Sequence, residues 1–177
     1  MSNFLVKTPG RTGSHIITLF LESNKNNKVV HSQDNWSPKN TLEWNLILSK
    51  RKNWFDHACS KIVSAHTQQY GPYDNVSKDL RMTPDFEYIM VSCGHSFLLY
   101  ETYKKMAKKY TWKNVYTVYY EDILDNDTSL KILDPNGISG LKKNMSSPYD
   151  FQEIITNYSE LKKEFNNWRK FIGLKTP

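Results

Sequence analysis

Two rhythms of apolar residues alternate along the chain. Short apolar runs of strand length occur at Asn3–Thr8, Lys28–Ser32, Trp44–Ser49 and Asn114–Tyr120. Between them, apolar residues recur at three- and four-residue steps, as an amphipathic helix requires. Ile16, Ile17, Phe20 and Leu21 open such a pattern, which reaches about Glu22. Phe55, Ala58, Cys59, Ile62 and Val63 predict a second helix from about Asn53 to His66. Phe97, Leu98, Tyr100, Tyr103 and Met106 predict a third over Gly94–Tyr110. Helices are also expected at Phe151–Ile155 and Tyr158–Ile172, where Leu161, Phe165, Trp168 and Ile172 share one stripe. Phe86–Val91 fits a short strand or a helix start equally well, and Glu121–Leu124 a turn or a short helix. Ser23–Asn27, Gln33–Asn40, Gln68–Pro84 and Asp125–Pro148 read as turns and loops. Strands alternating with helices predict an α/β fold around a parallel sheet, with Trp44–Ser49 as a buried strand.

The first strand meets its helix through Thr8-Pro9-Gly10-Arg11-Thr12-Gly13-Ser14-His15. A strand, a tight Pro/Gly turn and a helix start make an anion site. The free N–H groups of Gly13, Ser14 and His15 would converge there, and the helix dipole favours negative charge. Arg11 adds a permanent cation, and Thr12 and Ser14 add hydroxyls. This is not the Gly-x-x-x-x-Gly-Lys-Ser/Thr phosphate loop, because no lysine follows Gly13.

The second basic element is Ser49-Lys50-Arg51-Lys52 at the end of the Trp44–Ser49 strand. Open α/β sheets bind ligands at this carboxyl edge. Ser60 lies two helical turns further on, so a cation at the strand end and a helical hydroxyl could grip one phosphate from two sides.

Composition narrows the choice of ligand. The 177 residues suffice for one domain with a core, and mean hydropathy is −0.66. No apolar run is long enough for a membrane span, and the N-terminus enters a strand directly, without a secretory pattern; a cytoplasmic location is expected. Cys59 and Cys93 lack metal-ligand spacing and read as core thiols. The 24 basic against 18 acidic residues give a net charge of +6, which suits nucleic acid, acidic sugars or a polyanionic nucleotide.

Three segments resemble the sulfotransferases that use PAPS (3′-phosphoadenosine 5′-phosphosulfate). Pro9–His15 resembles their 5′-phosphosulfate loop, with Arg11 as the basic residue, Thr12 and Gly13 next, Ser14 at the helix start, and one extra residue, Gly10. Arg51 or Lys52, nine and eight residues before Ser60, resembles the arginine and serine of their 3′-phosphate site; Arg51 is preferred because guanidinium holds phosphate bidentately. Tyr119-Tyr120-Glu121-Asp122-Ile123 resembles their Tyr-Glu-Asp-Leu segment, which puts Tyr120 near the nucleotide and leaves Glu121 and Asp122 to hold a helix start. Asn157–Leu161 and Phe171–Leu174 resemble the family's C-terminal helices. Lys142 and Lys143 lie where members place basic residues that close over the nucleotide. The resemblance implies one domain over residues 1–177, with a three-layer, P-loop-like fold and a central, mainly parallel sheet flanked by helices.

It also implies metal-free transfer of the sulfuryl group of PAPS to a hydroxyl or amine, leaving PAP (adenosine 3′,5′-bisphosphate). The acceptor is a small molecule, carbohydrate or peptide, with no nucleic-acid partner. Arg11 and the helix start would stabilise the leaving phosphate. Lys28–Asp34 resembles the family's strand ending in Lys-Thr-His; without gaps, His31 falls on the lysine and Gln33 on the histidine. His31 is the candidate base, Asp34 the runner-up, and a chain that binds PAPS without a base is a further possibility. His15 is assigned to orienting the helix start, His95 to packing, and one of His57 and His66 to the acceptor cleft. Tyr70, Tyr73 and Arg81 are the expected acceptor wall. Two other readings stand beside this one. A kinase-like transferase would need a lysine after Gly13 and a magnesium-binding acid such as Asp122. A polyanion-binding module would spread its charge along a face.

Overall fold

The computed structural model describes residues 1–68, 79–125, 128–138 and 150–172. Strands β1 (Ser2–Lys7), β2 (Asn27–Ser32), β3 (Trp44–Lys50) and β4 (Asn114–Tyr119) form one sheet in the order β2-β1-β3-β4, every pairing parallel. Helices α1 (Ser14–Glu22), α2 (Trp54–Thr67), α3 (Phe86–Lys109), α4 (Tyr120–Asp125), α5 (Thr128–Lys131), α6 (Phe151–Ile154) and α7 (Tyr158–Phe171) flank it. The expected α/β architecture with a parallel sheet is present. Parallel strands covered on both faces should be apolar throughout, and β3 is buried from Trp44 to Ser49.

The two-residue pleat sorts the strands between two cores. Phe4, Val6, Ile47 and Val118 point to α1, α4 and α5, where they meet Ile17, Phe20, Leu21, Ile123 and Leu130. Leu5, Leu46 and Leu48 point the other way, to Tyr100 and Tyr103 of α3. A third core joins α2, α3, α6 and α7 through Phe55, Cys59, Ile62, Ile89, Cys93, Tyr158, Leu161 and Phe165. Both cysteines are free and buried, and desolvation pushes their thiols up, Cys59 to about 12 and Cys93 to about 11, as core thiols should behave.

The ambiguous Phe86–Val91 segment is helical, and α3 begins at Phe86 rather than near Gly94. The apolar residues of this segment pack against α2, α6 and α7 rather than against a strand, and Ile89, Ser92, Cys93 and Ser96 form one buried stripe. Pro84 and the extended Asp85 set its start. Just before it, Met82 bridges to Ile155: the Met82 N–H donates to the Ile154 carbonyl and the Thr156 N–H to the Met82 carbonyl, both at 2.9 Å.

The order β2-β1-β3 puts the chain's change of direction at β1. Its right-hand and left-hand neighbours both follow it in sequence, and at such a switch point open α/β sheets place their ligand crevice, between the loops after β1 and β3. Both basic elements end there.

Candidate anion site at the carboxyl edge of the sheet

The loop from Thr8 to Gly13 is held in an unusual shape. Gly10, Arg11 and Gly13 all have positive φ, at 83°, 53° and 71°. Glycine takes this region freely, whereas Arg11 is strained there by about 1–2 kcal/mol. At Gly13 no side chain would fit, since a Cβ would lie 2.6 Å from the Tyr120 ring. A chain of hydroxyls fixes the shape. Ser49 donates to the Thr12 carbonyl (2.7 Å), so the Thr12 hydroxyl donates to Ser49 Oγ (2.8 Å). Thr8 must then donate to Thr12 (2.5 Å), while the Gly10 N–H donates to Thr8 (3.0 Å). Every proton has one direction, and such a chain reinforces itself. Thr12 is fully buried, so its hydroxyl braces the loop rather than facing the crevice.

Gly13 caps α1 without a side-chain acceptor, leaving the first-turn N–H groups to whatever occupies the crevice. Ser14 is buried at this helix start and His15 is exposed beside it.

The two basic elements form one cluster. Arg51 is 6% exposed; its Nε donates to the Arg11 carbonyl at 2.8 Å, and its guanidinium lies 4.0 Å from the centre of the Tyr120 ring. Arg11 reaches in turn to Ser60, its Nε donating to Ser60 Oγ at 3.2 Å. The serine expected beside Arg51 therefore meets Arg11, and both guanidinium groups belong to one site. Burial works against the charge of Arg51, and Arg11 nearby adds to this, so an anion in the crevice would relieve both. Lys52 goes elsewhere. Its ammonium pairs with Asp122 at the exposed rim, which raises its pKa. Glu121 accepts from the N–H groups of Lys52 (2.9 Å) and Asn53 (3.2 Å), so it does hold a helix start, that of α2.

His57 has a different place from the acceptor cleft considered for it. It is fully buried, and its Nε2 donates to the Gly10 carbonyl at 2.7 Å. Desolvation pushes its pKa down to about 3, with Arg51, Lys61 and Arg11 also repelling a second proton. The ring is therefore a neutral Nε2–H tautomer whose Nδ1 has no partner. This loop support is the functional residue that sequence reasoning missed; its signal was a histidine one helical turn before Ser60 on the same face. His66 is exposed at the end of α2. His95 is exposed too, not packed, with Nδ1 3.2 Å from Lys61 Nζ.

Across the crevice, the turn after β2 is pegged by Lys7, which is fully buried. Its ammonium donates to Ser32 Oγ (2.6 Å), the Asp34 carbonyl (2.7 Å) and Asp34 Oδ1 (3.3 Å). Tyr103 donates to the Gln33 carbonyl at 2.6 Å. The Asp34 carboxylate also accepts from Ser32 and from the Trp36 N–H, and these bonds, with Lys7, hold its pKa at about 2. His31 is exposed at the end of β2. Partial desolvation, then His15 and Lys7 nearby, lower its pKa. Gln33 lies against the loop, its Oε1 3.6 Å from where a Gly10 Cβ would be.

Of the expected acceptor wall, Arg81 is exposed and donates to the Leu80 carbonyl; Tyr70 and Tyr73 lie outside the described residues, as do Lys142 and Lys143. Among the described residues no His, Cys, Asp and Glu group could hold a metal ion, and no helix is long and apolar enough to cross a membrane.

Fold and site together define an α/β protein with a parallel sheet and a basic loop site at its carboxyl edge. No family model, curated protein or solved structure matches the chain.

Proposed function

We propose that this chain is a PAPS-dependent sulfotransferase with a three-layer, P-loop-like fold, and that the cluster of Arg11, Arg51, Ser60 and the α1 start binds the phosphates of the nucleotide. The observation that carries this reading is Arg51, buried on Tyr120 and joined to the Arg11 carbonyl, which brings two motifs 40 residues apart into one cationic crevice. Its aromatic support and the strained loop are features of a built anion site rather than of a solvated charge cluster.

In the reaction, the acceptor oxygen attacks sulfur in line, the S–O bond to the 5′-phosphate breaks, and PAP leaves with the electron pair. Arg11 and the uncapped N–H groups of α1 offset the charge that develops on that phosphate. His31 takes the acceptor's proton. Its lowered pKa keeps the ring neutral and able to accept at pH 7. Asp34 is a poor base because its pKa is held at about 2, its Oδ1 accepting from Lys7, Ser32 and the Trp36 N–H.

Turnover with PAPS tests the assignment. His31→Ala should lower kcat by 10²-fold or more, the usual scale for a general base, with PAP affinity unchanged. Unchanged kcat would remove His31 from the reaction. Magnesium-dependent ADP binding would favour the kinase-like alternative, and steeply salt-dependent polyanion binding without PAP affinity would favour a binding module.

A further inference from the structure

Lys50 ends β3 on the sheet face opposite Arg51, continuing the side of Leu46 and Leu48. Three rings surround its ammonium, with centres 4.6 Å (Tyr100), 5.0 Å (Tyr119) and 5.9 Å (Trp54) away. Its neighbours already have carboxylates: Lys52 pairs with Asp122 and Lys104 with Glu101. Lys50 is half-buried, and among the described residues no carboxylate and no hydrogen-bond acceptor meets it. Ring faces attract its charge without neutralising it and are weak acceptors for its three N–H groups. Trp54 extends the niche to Phe97, which is 40% exposed and whose ring stands at 65° to it, so the two rings form an apolar corner. On its other side Trp54 lies 5.8 Å from His57, the residue that supports Gly10. The niche is thus one side chain away from the anion loop.

We propose that this niche binds a carboxylate carried on a six-membered ring and so selects acidic acceptors. The carboxylate meets the Lys50 ammonium and the ring lies against Trp54 and Phe97. The word acceptor rests on the sulfotransferase reading; the binding itself does not. Two sources share this chemistry, a hexuronic acid sugar and a hydroxybenzoic acid.

The test titrates the full chain, with and without PAP, with methyl glucuronide against methyl glucoside and with 4-hydroxybenzoate against 4-hydroxybenzamide, following Trp fluorescence and heat. At least one acid should bind tenfold or more tighter than its neutral counterpart, and which acid does so identifies the source. Lys50→Met, which keeps the apolar stem, should erase that preference, Lys50→Arg should keep it, and PAP affinity should not change in either. Phe97→Ala, a change at an exposed position, should weaken both members of the preferred pair alike. Equal binding of acid and neutral ligands, no binding of either acid, or a preference that survives in Lys50→Met would overturn the proposal. If wild-type protein prefers a ring acid through Lys50 yet ignores PAP, the niche stands and the sulfotransferase reading falls. The converse result leaves the nucleotide site and removes the niche.

Discussion

His57 shows how one buried side chain can control the loop. Its folded-state pKa of about 3 lies below the ordinary histidine value of 6.5, so the unfolded chain binds more protons between those values. Stability from this residue is therefore full above pH 6.5 and falls as the pH drops towards 3, by at most about 1.4 kcal/mol per pH unit. Urea titrations over that range should show the decline, and His57→Gln should flatten it while retaining a donor for the Gly10 carbonyl. An equally steep decline in His57→Gln would assign the acid sensitivity elsewhere. Gly13→Ala should be worse than a helix-start alanine normally is, because φ is +71° and the new methyl meets Tyr120. A loss of more than about 1 kcal/mol by chemical denaturation is expected, together with loss of nucleotide binding. At this scale the positions of Arg11, Gly13 and Arg51 were legible because they are local: a cation or a glycine beside a strand end. His57 was not, since nothing in Asp56-His57-Ala58 says that a carbonyl 47 residues away needs a donor.

At the scale of elements, β1, β3 and β4 and helices α1, α2 and α7 were legible from period alone, since each carries an apolar set that fits one rhythm. Phe86–Val91 was not. Aromatic and β-branched residues there suit a strand as well as a helix, and only packing against α2 decides. The link between β4 and α2 was half legible: a carboxylate pair after β4 was expected to hold a helix start, and Glu121 does so for α2 rather than for its own helix. Glu121→Ala should free the Lys52 and Asn53 N–H groups and cost about 1 kcal/mol, a Tm decrease of about 2–4 °C by calorimetry. Because Arg51 is the next residue back, PAP affinity should fall as well. An unchanged affinity would show that Arg51 is held by Tyr120 and Arg11 alone.

Over the whole molecule, the core between α2, α3, α6 and α7 is built from residues other than Arg11, Arg51, Ser60 and Tyr120. The α2, α3, α6 and α7 core carries Phe165, packed on Phe55 at 5.4 Å between ring centres. Phe165→Ala should cost about 3–5 kcal/mol, yet the protein that remains folded should bind PAP with unchanged affinity. Thermal unfolding and binding on the same sample would test both. The net charge of +6 is a property of the full chain and favours any polyanion, whereas the proposed function requires the loops after β1 and β3 to add the choice among them. The measurement that tests the account most directly is calorimetric titration with PAP, with ADP and AMP as controls and no magnesium. PAP should bind at least tenfold tighter than ADP, and Arg51→Ala should remove that difference with the fold intact. Equal affinity for PAP and ADP, or a preference untouched by Arg51→Ala, would contradict it.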